Sequence, residues 1–380
     1  MGINRDRKII QELAEMADIK INGTRPWDIQ VHDERLYSRI IRDQSIGFGE
    51  SYMDGWWDCE RLDELFMRLS RARLETVVLN SKQLIWKLFI SKYFNLQSIK
   101  RAFIVGEKHY DLDNYLYEKM LDPLMVYSCA YWKGVDNLAD AQMAKLDLIC
   151  RKVGLKKGQK VLEIGCGWGG FTWYAATYYG VEVVGLTVSK EQAKLAQEKC
   201  KNLPVDIRVQ DYRTLSSGAE KFDHIVSIGM FEHVGPKNYR EYFKVVRACL
   251  KDDGLFCLHT IGQGPSRLKG DDWMDKYIFP NGVVPSIKQV GQAAEDILEM
   301  EDWHNFGPYY DKTLMAWYEN FQKAWPELSQ REDKKYDARF KRMWEYYLMS
   351  CAGFFRSRSC ALWQVVFSKN GQIGGYESVR

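Results

Sequence analysis

The chain has 380 residues, a length that holds two domains or one large domain with an extension. Apolar residues make up 46% and charged residues 28%, which suits a buried core and excludes an intrinsically disordered chain. Lysine plus arginine number 54 against 51 acids, so charge alone gives no reason to expect a nucleic acid partner. The longest uncharged run, residues 164–181, carries five glycines in a strand–turn–helix pattern and does not read as a membrane span. The N-terminus has no apolar core of a signal peptide, and the nine cysteines are scattered without Cys-x-x-Cys pairs. A cytoplasmic protein with reduced thiols and no metal site is expected.

From the start to about residue 105, short helical patterns alternate with loops such as Asn22-Gly23 and Gly47-Phe48-Gly49. This portion, 1–105, reads as a smaller, mainly helical N-terminal domain with its linker, and 106–380 as a second, larger domain. Within 68–101, Arg68, Arg71, Arg73, Lys82, Lys87, Lys92, Lys100 and Arg101 face a single acid, Glu75. Large apolar residues such as Trp86, Phe89 and Phe94 lie between them. Two readings stay open here: an interfacial element on anionic lipid, or a core helix whose lysines snorkel to solvent.

Strands alternate with helices in the middle region. Short apolar runs predict strands at 161–165, 181–187, 205–210, 223–228 and 254–259, with two further edge strands at 297–303 and 362–367. A helix is expected over 169–179, another behind the capping pair Ser189 and Gln192, and a third from near Pro236. The pattern is that of a doubly wound α/β sheet with its sites at the carboxyl ends of the strands.

At the end of the first strand stands Glu163-Ile164-Gly165-Cys166-Gly167-Trp168-Gly169-Gly170. Gly165, Gly167 and Gly170 satisfy the dinucleotide pattern, which is weak evidence by itself. A carboxylate at Glu163 suits a cationic amino-acid ligand better than a pyrophosphate, and the second strand ends in Thr187 where an NAD ribose needs an acid. S-adenosylmethionine, with an ammonium and a sulfonium, fits this loop better.

This loop, with Thr187–Gln192, Gln210-Asp211-Tyr212-Arg213 and Gly229-Met230-Phe231-Glu232-His233-Val234-Gly235, resembles the S-adenosylmethionine-dependent cyclopropane-fatty-acid synthases. Gly49-Glu50-Ser51-Tyr52-Met53-Asp54-Gly55-Trp56-Trp57, Tyr127–Trp132 and Met315-Ala316-Trp317-Tyr318 extend the resemblance over nearly the whole chain. It is nearest to the bacterial phospholipid-modifying members; mycolic-acid cyclopropane synthases share the catalytic portion without the N-terminal extension. Glu163 departs from the aspartate often found there and keeps the charge.

The resemblance implies a class I methyltransferase sheet and a set of ligand positions. The cofactor's methionine moiety would lie near Tyr127, Ser128, Glu163 and the Gly165, Cys166, Gly167, Trp168, Gly169, Gly170 loop. Its ribose would meet Thr187 and Gln192, and its adenine Asp211 and Tyr212. A bound bicarbonate would act as base, held by the backbone at Cys129 and Ile261 and by Glu232, His259 and Tyr318. Cys351 matches a family position among the catalytic residues and is expected near the site with its role open, since alkene methylation needs no thiolate and a thiolate beside a sulfonium is itself alkylated. The implied reaction is methylene transfer to the cis double bond of an unsaturated phospholipid acyl chain. The implied setting is a homodimer bound peripherally to the inner face of the cell membrane. Two rivals remain: methylation of an amine, as by related plant enzymes, and a non-catalytic lipid-binding module.

Overall fold

The computed structural model describes residues 2–73, 114–215, 220–331 and 335–380. Of the basic stretch, residues 74–101 lie outside the described residues. Two compact units are present. One combines the described residues within Met1–Ile90, Gly270–Pro280 and Tyr310–Cys360; the other combines those within Ser91–Lys269, Asn281–Tyr309 and Ala361–Arg380.

The second unit is built on a seven-stranded sheet. Its strands are β1 (Lys160–Ile164), β2 (Glu182–Thr187), β3 (Val205–Val209), β4 (Phe222–Ile228), β5 (Leu250–Gln263), β6 (Glu299–Asn305) and β7 (Cys360–Ser368). The spatial order is β3-β2-β1-β4-β5-β7-β6. Pairs β3–β2, β2–β1, β1–β4 and β4–β5 are parallel, while β6 and β7 run antiparallel. The order reverses between β1 and β4, and the carboxyl ends of strands flanking such a reversal open a crevice for a ligand. Alternate residues of β1 feed two cores. Leu162 and Ile164 pack with Tyr242, Phe243 and Val246 on one face; Val161 packs with Leu146, Ile149 and Cys150 on the other.

Boundaries shift where turn chemistry intervenes. The helix expected near Pro236 starts at Tyr239, because Gly235 has φ of 77° and its carbonyl accepts the Asn238 N–H in a turn. The edge strand expected over 297–303 runs from Glu299 to Asn305, since the Ile297 and Leu298 N–H groups close the preceding turn on Ala294. The helix expected over 169–179 is α-helical over Gly170–Tyr174 and then widens to a π turn over Ala175–Tyr179.

The other unit is helical, with a two-residue strand pair, Gln30–Val31 against Trp57–Asp58. Its principal helices are Gly2–Met16, Arg35–Met53, Leu62–Arg71 and Ala338–Arg356, joined by most of Pro308–Leu328. The aromatic content noted in the sequence is core here. Phe48 stacks on Trp57 at 4.4 Å, and Tyr346 meets Phe66 edge-on at 5.0 Å and Trp273 at 4.5 Å. The helices Leu62–Arg71 and Ala338–Arg356 cross so closely that a Cβ at Gly353 would lie 2.6 Å from the Asp63 carbonyl oxygen and 2.7 Å from the Met67 nitrogen. Among the described residues, no helix is long and apolar enough to cross a membrane.

That crossing sets two effects against each other. Alanine in a helix gains about 1 kcal/mol over glycine, whereas overpacking costs roughly 1–3 kcal/mol. Because the clash at Gly353 is with backbone, the cost wins, and Gly353→Ala is expected to lower stability by about 1–2 kcal/mol in denaturant titrations.

Candidate active site

The glycine loop begins where β1 ends. The Gly165 and Cys166 N–H groups both donate to the Leu186 carbonyl, at 3.0 and 2.8 Å, which folds the loop back over β2. Gly165 has φ of 87°, and a Cβ there would lie 2.7 Å from Met230. Only glycine meets both conditions, and the contact brings the loop after β1 against the loop after β4. The resulting cleft joins the two motifs that the sequence placed 60-odd residues apart.

Glu163 is buried at the carboxyl end of β1, and the Thr172 hydroxyl donates to its Oε2 at 2.5 Å. Burial pushes its carboxyl up to about 7, against the opposing pull of Thr172 and Lys145. Lys145 is itself fully buried, and its Nζ donates to Ser128 Oγ at 2.9 Å. Desolvation draws this ammonium down to about 8, with Asp122 as the leading opposing charge. The Gln142 amide donates to the Val126 carbonyl at 3.1 Å and the Ser128 carbonyl at 2.9 Å, so it clamps the backbone on both sides of Tyr127. The Tyr127 ring meets Tyr117 edge-on at 5.1 Å, and Tyr117 lies 4.9 Å from Trp168.

At the end of β2, Thr187 Oγ1 donates to Gln192 Oε1 at 3.0 Å and accepts the Ser189 N–H at 3.2 Å. Ser189 caps the next helix by accepting the Gln192 N–H, so one half of the expected capping box is present and Thr187 takes the place of the other. The Asp211 carboxylate is held by the Arg213 side chain, through Nε at 2.8 Å and Nη2 at 2.6 Å, and Tyr212 is buried edge-on to Tyr242.

Behind the glycine loop, β4 and β5 end side by side. Ile228 pairs with His259, and the Gly229 N–H donates to the His259 carbonyl at 2.9 Å. Ser128 is adjacent, 3.6 Å from a Cβ built on Gly229, which brings the Tyr127–Cys129 segment to the same place. Glu232 is buried; its Oε1 accepts the Ile261 N–H at 2.6 Å, the Thr260 hydroxyl acts on the same carboxyl, and its Oε2 has no close hydrogen-bond partner among the described residues. Burial raises this carboxyl to about 7. Ile261 therefore holds Glu232 through the backbone N–H that the resemblance assigned to an anion. His259 is 1% exposed, its Nδ1 lies 3.3 Å from Gln364 Nε2, and its Nε2 has no partner among the described residues. The Cys129 thiol is buried and donates to the Ala130 carbonyl at 3.3 Å.

The cleft thus combines in one unit Tyr127, Ser128, Cys129, Glu163, the glycine loop, Glu232, His259 and Ile261. Tyr318 and Cys351 belong to the helical unit. Tyr318 is half-buried on the helix Pro308–Leu328, and burial pushes the Cys351 thiol far up. Gln142, Lys145, Thr172 and Gln364 were missed from sequence. Two signals were available: polar residues on the buried side of the helix Leu138–Lys152, and a lone amide in the apolar run Leu362–Phe367.

The mycolic acid cyclopropane synthetase family model matches residues 97–365. The chain belongs to that family. It is 54% identical over 367 residues to the cyclopropane-fatty-acyl-phospholipid synthase of Escherichia coli K12, covering 97% of this chain and 94% of that one. A cyclopropane mycolic acid synthase of Mycobacterium tuberculosis is 35% identical over 66% of this chain and 91% of its own length. Among solved structures, a mycolic acid cyclopropane synthase complexed with SAH and CTAB superposes with a TM-score of 0.63 at 32% identity, covering 70% of this chain and 98% of that one. Coclaurine N-methyltransferase, at a TM-score of 0.68 and 22% identity over 84% of this chain and 98% of its own, shares the fold. The sheet is that of class I S-adenosylmethionine methyltransferases, and the family member described here is an S-adenosylmethionine-dependent methyltransferase. The cofactor fits the cleft. Glu163 is a buried carboxyl of the kind a cationic amino-acid ligand needs, and the glycine at 165 lets the loop lie against Met230 where a Cβ would collide.

Two raised carboxyls have a consequence for pH. Folded Glu163 and Glu232 keep protons up to about pH 7 that the unfolded chain has released above about 4.5. Each carboxyl therefore contributes less to folding as pH rises through that window, while His224, His233, His259 and His304, which burial holds below the ordinary histidine range, contribute in the opposite sense. Glu163→Gln and Glu232→Gln should each shift the slope of denaturant midpoint against pH in the positive direction, and an unchanged slope in both would refute the burial argument.

Proposed function

We propose that this enzyme transfers a methylene group from S-adenosylmethionine to the cis double bond of an unsaturated phospholipid acyl chain, forming a cyclopropane. The observation that carries the reading is the pair of buried atoms without a partner among the described residues, Glu232 Oε2 and His259 Nε2, beside the loop that Met230 joins to the glycine turn. The 54% identity to a cyclopropane-fatty-acyl-phospholipid synthase supports the choice of acceptor. Peripheral attachment to the inner face of a membrane and a homodimer belong to the same reading.

The alkene π pair attacks the sulfonium methyl carbon, and the departing thioether keeps the electrons of the broken S–C bond. The cationic chain then loses a proton from the new methyl group, and that C–H pair closes the ring. Bicarbonate, when bound, supplies the base for this proton. The donor set fits such an anion: Glu232 Oε2 is a bare acceptor for its hydroxyl, and the imidazole and the Cys129 backbone are within the same cleft. Ile261 orients Glu232, and burial keeps competing water away from the reacting carbons. The roles of Tyr318 and Cys351 are carried by the family resemblance.

Incubation with S-adenosylmethionine and vesicles of unsaturated phospholipid tests the acceptor. The acyl chains are expected to gain one carbon, lose the alkene and show the upfield ring protons of a cyclopropane in NMR spectra. Methylated amine with unaltered acyl chains would replace this reading by the amine one. Glu232→Gln is expected to bind S-adenosylmethionine like the parent and to lose at least roughly a hundredfold in turnover, the cost of a displaced base. The parent should slow in carbonate-depleted buffer and recover when bicarbonate returns. In contrast, Cys351→Ser should keep substantial turnover, because a half-buried thiol this reluctant to ionise is no nucleophile. A loss near a thousandfold with cofactor binding intact would give the sulfur a chemical role.

A further inference from the structure

Gln364 stands alone as an amide in the apolar run Leu362–Phe367 of β7, and it is fully buried. Strand β7 neighbours β5, which carries His259. The Gln364 Nε2 lies 3.3 Å from His259 Nδ1, while Gln364 Oε1 and His259 Nε2 have no hydrogen-bond partner among the described residues. Two orientations of the amide are chemically distinct. With Nε2 toward the ring, one amide N–H is used and the other N–H and the carbonyl oxygen are left bare; reversed, the carbonyl is used and both N–H donors are unmet, one more than in the first arrangement. Orphaned N–H groups are rarer in proteins than under-satisfied carbonyls, so the first arrangement is favoured. An amide that donates requires Nδ1 to accept, and in a neutral imidazole the proton then sits on Nε2. The ring is neutral: burial holds it well below the ordinary histidine range, and Lys145 and Lys152 act in the same direction.

We infer that Gln364 is a positioning residue that locks His259 as the Nε2–H tautomer, so that the ring donates a hydrogen bond to the bound bicarbonate. The inference rests on the anion reading given above. The opposite tautomer would aim a lone pair at the anion and repel it. It would also present a nucleophilic nitrogen to a sulfonium methyl donor, inviting alkylation of the enzyme in place of the lipid. Gln364 touches neither substrate nor anion in this scheme; it acts through the ring.

Long-range proton–nitrogen correlation spectra of protein labelled with 15N-histidine read the tautomer directly, and with six histidines in the chain a His259→Asn variant assigns the signal. The parent is expected to show an unprotonated Nδ1 and a protonated Nε2. Gln364→Met keeps the volume and removes the donor. It should shift the ring toward mixed tautomers and raise the KM for bicarbonate by roughly tenfold, the lower end of what losing a histidine-orienting partner costs, with S-adenosylmethionine affinity unchanged. A protonated Nδ1 in the parent overturns the inference, as does a Gln364→Met protein with the parent's ring signals and bicarbonate KM. If that variant fails to fold, the parent spectrum alone decides. A parent whose turnover ignores bicarbonate defeats the anion reading instead, and the ring signals then judge the tautomer assignment by themselves.

Discussion

Desolvating a carboxylate raises the free energy of its charged form, and this enzyme does so twice within one cleft. Glu163 and Glu232 sit at or just beyond the carboxyl ends of adjacent parallel strands, both buried and both raised to about 7. A nearby ammonium, Lys145, is pulled the other way for the same reason. Much of the surrounding structure serves to keep these groups in place: Thr172 and the first helical turn for Glu163, the Ile261 N–H for Glu232, and the Ser128 hydroxyl for Lys145. Such groups are costly for stability and useful for binding, since a cationic ligand or a protonated anion recovers what burial took away.

The cleft depends equally on close backbone approach. The loops after β1 and β4 meet at Gly165 and Met230 with no room for a methyl group. The Tyr127–Cys129 segment lies against Gly229 and is fixed from behind by Gln142. Strands and the loops at their carboxyl ends thus deliver the polar atoms, and one amide side chain holds the irregular segment around Tyr127 that lies against them. This division suits the proposed reaction, in which a cation would form and lose one particular proton before water intervenes.

The helical unit solves a different problem. Its core is aromatic and its charged side chains are cross-linked. Arg356 reaches Asp63, Glu64 and Asp311, and Glu50 accepts from Arg39, Lys276 and Tyr277. The Gly49–Trp57 motif is thereby accounted for as packing, with Gly49 making room for the Trp273 ring and Trp57 stacked on Phe48.

Local chemistry was legible along the chain. The glycine loop, the strand–helix alternation, the Ser189 cap and the acid before the first glycine are all signals contained within a few residues, and backbone sterics or capping rules read them directly. Tertiary structure decided what those signals are for. Lys145 reaches Ser128 across 17 positions and Gln364 reaches His259 across 105, so no local pattern pairs them. The Ile261 N–H turned to Glu232 because a buried carboxylate takes the nearest backbone donor, a choice made only when β5 and the loop after β4 lie side by side. Hydrogen bonds of buried groups are settled by which strands become neighbours, and sequence order carries that information only through the completed sheet.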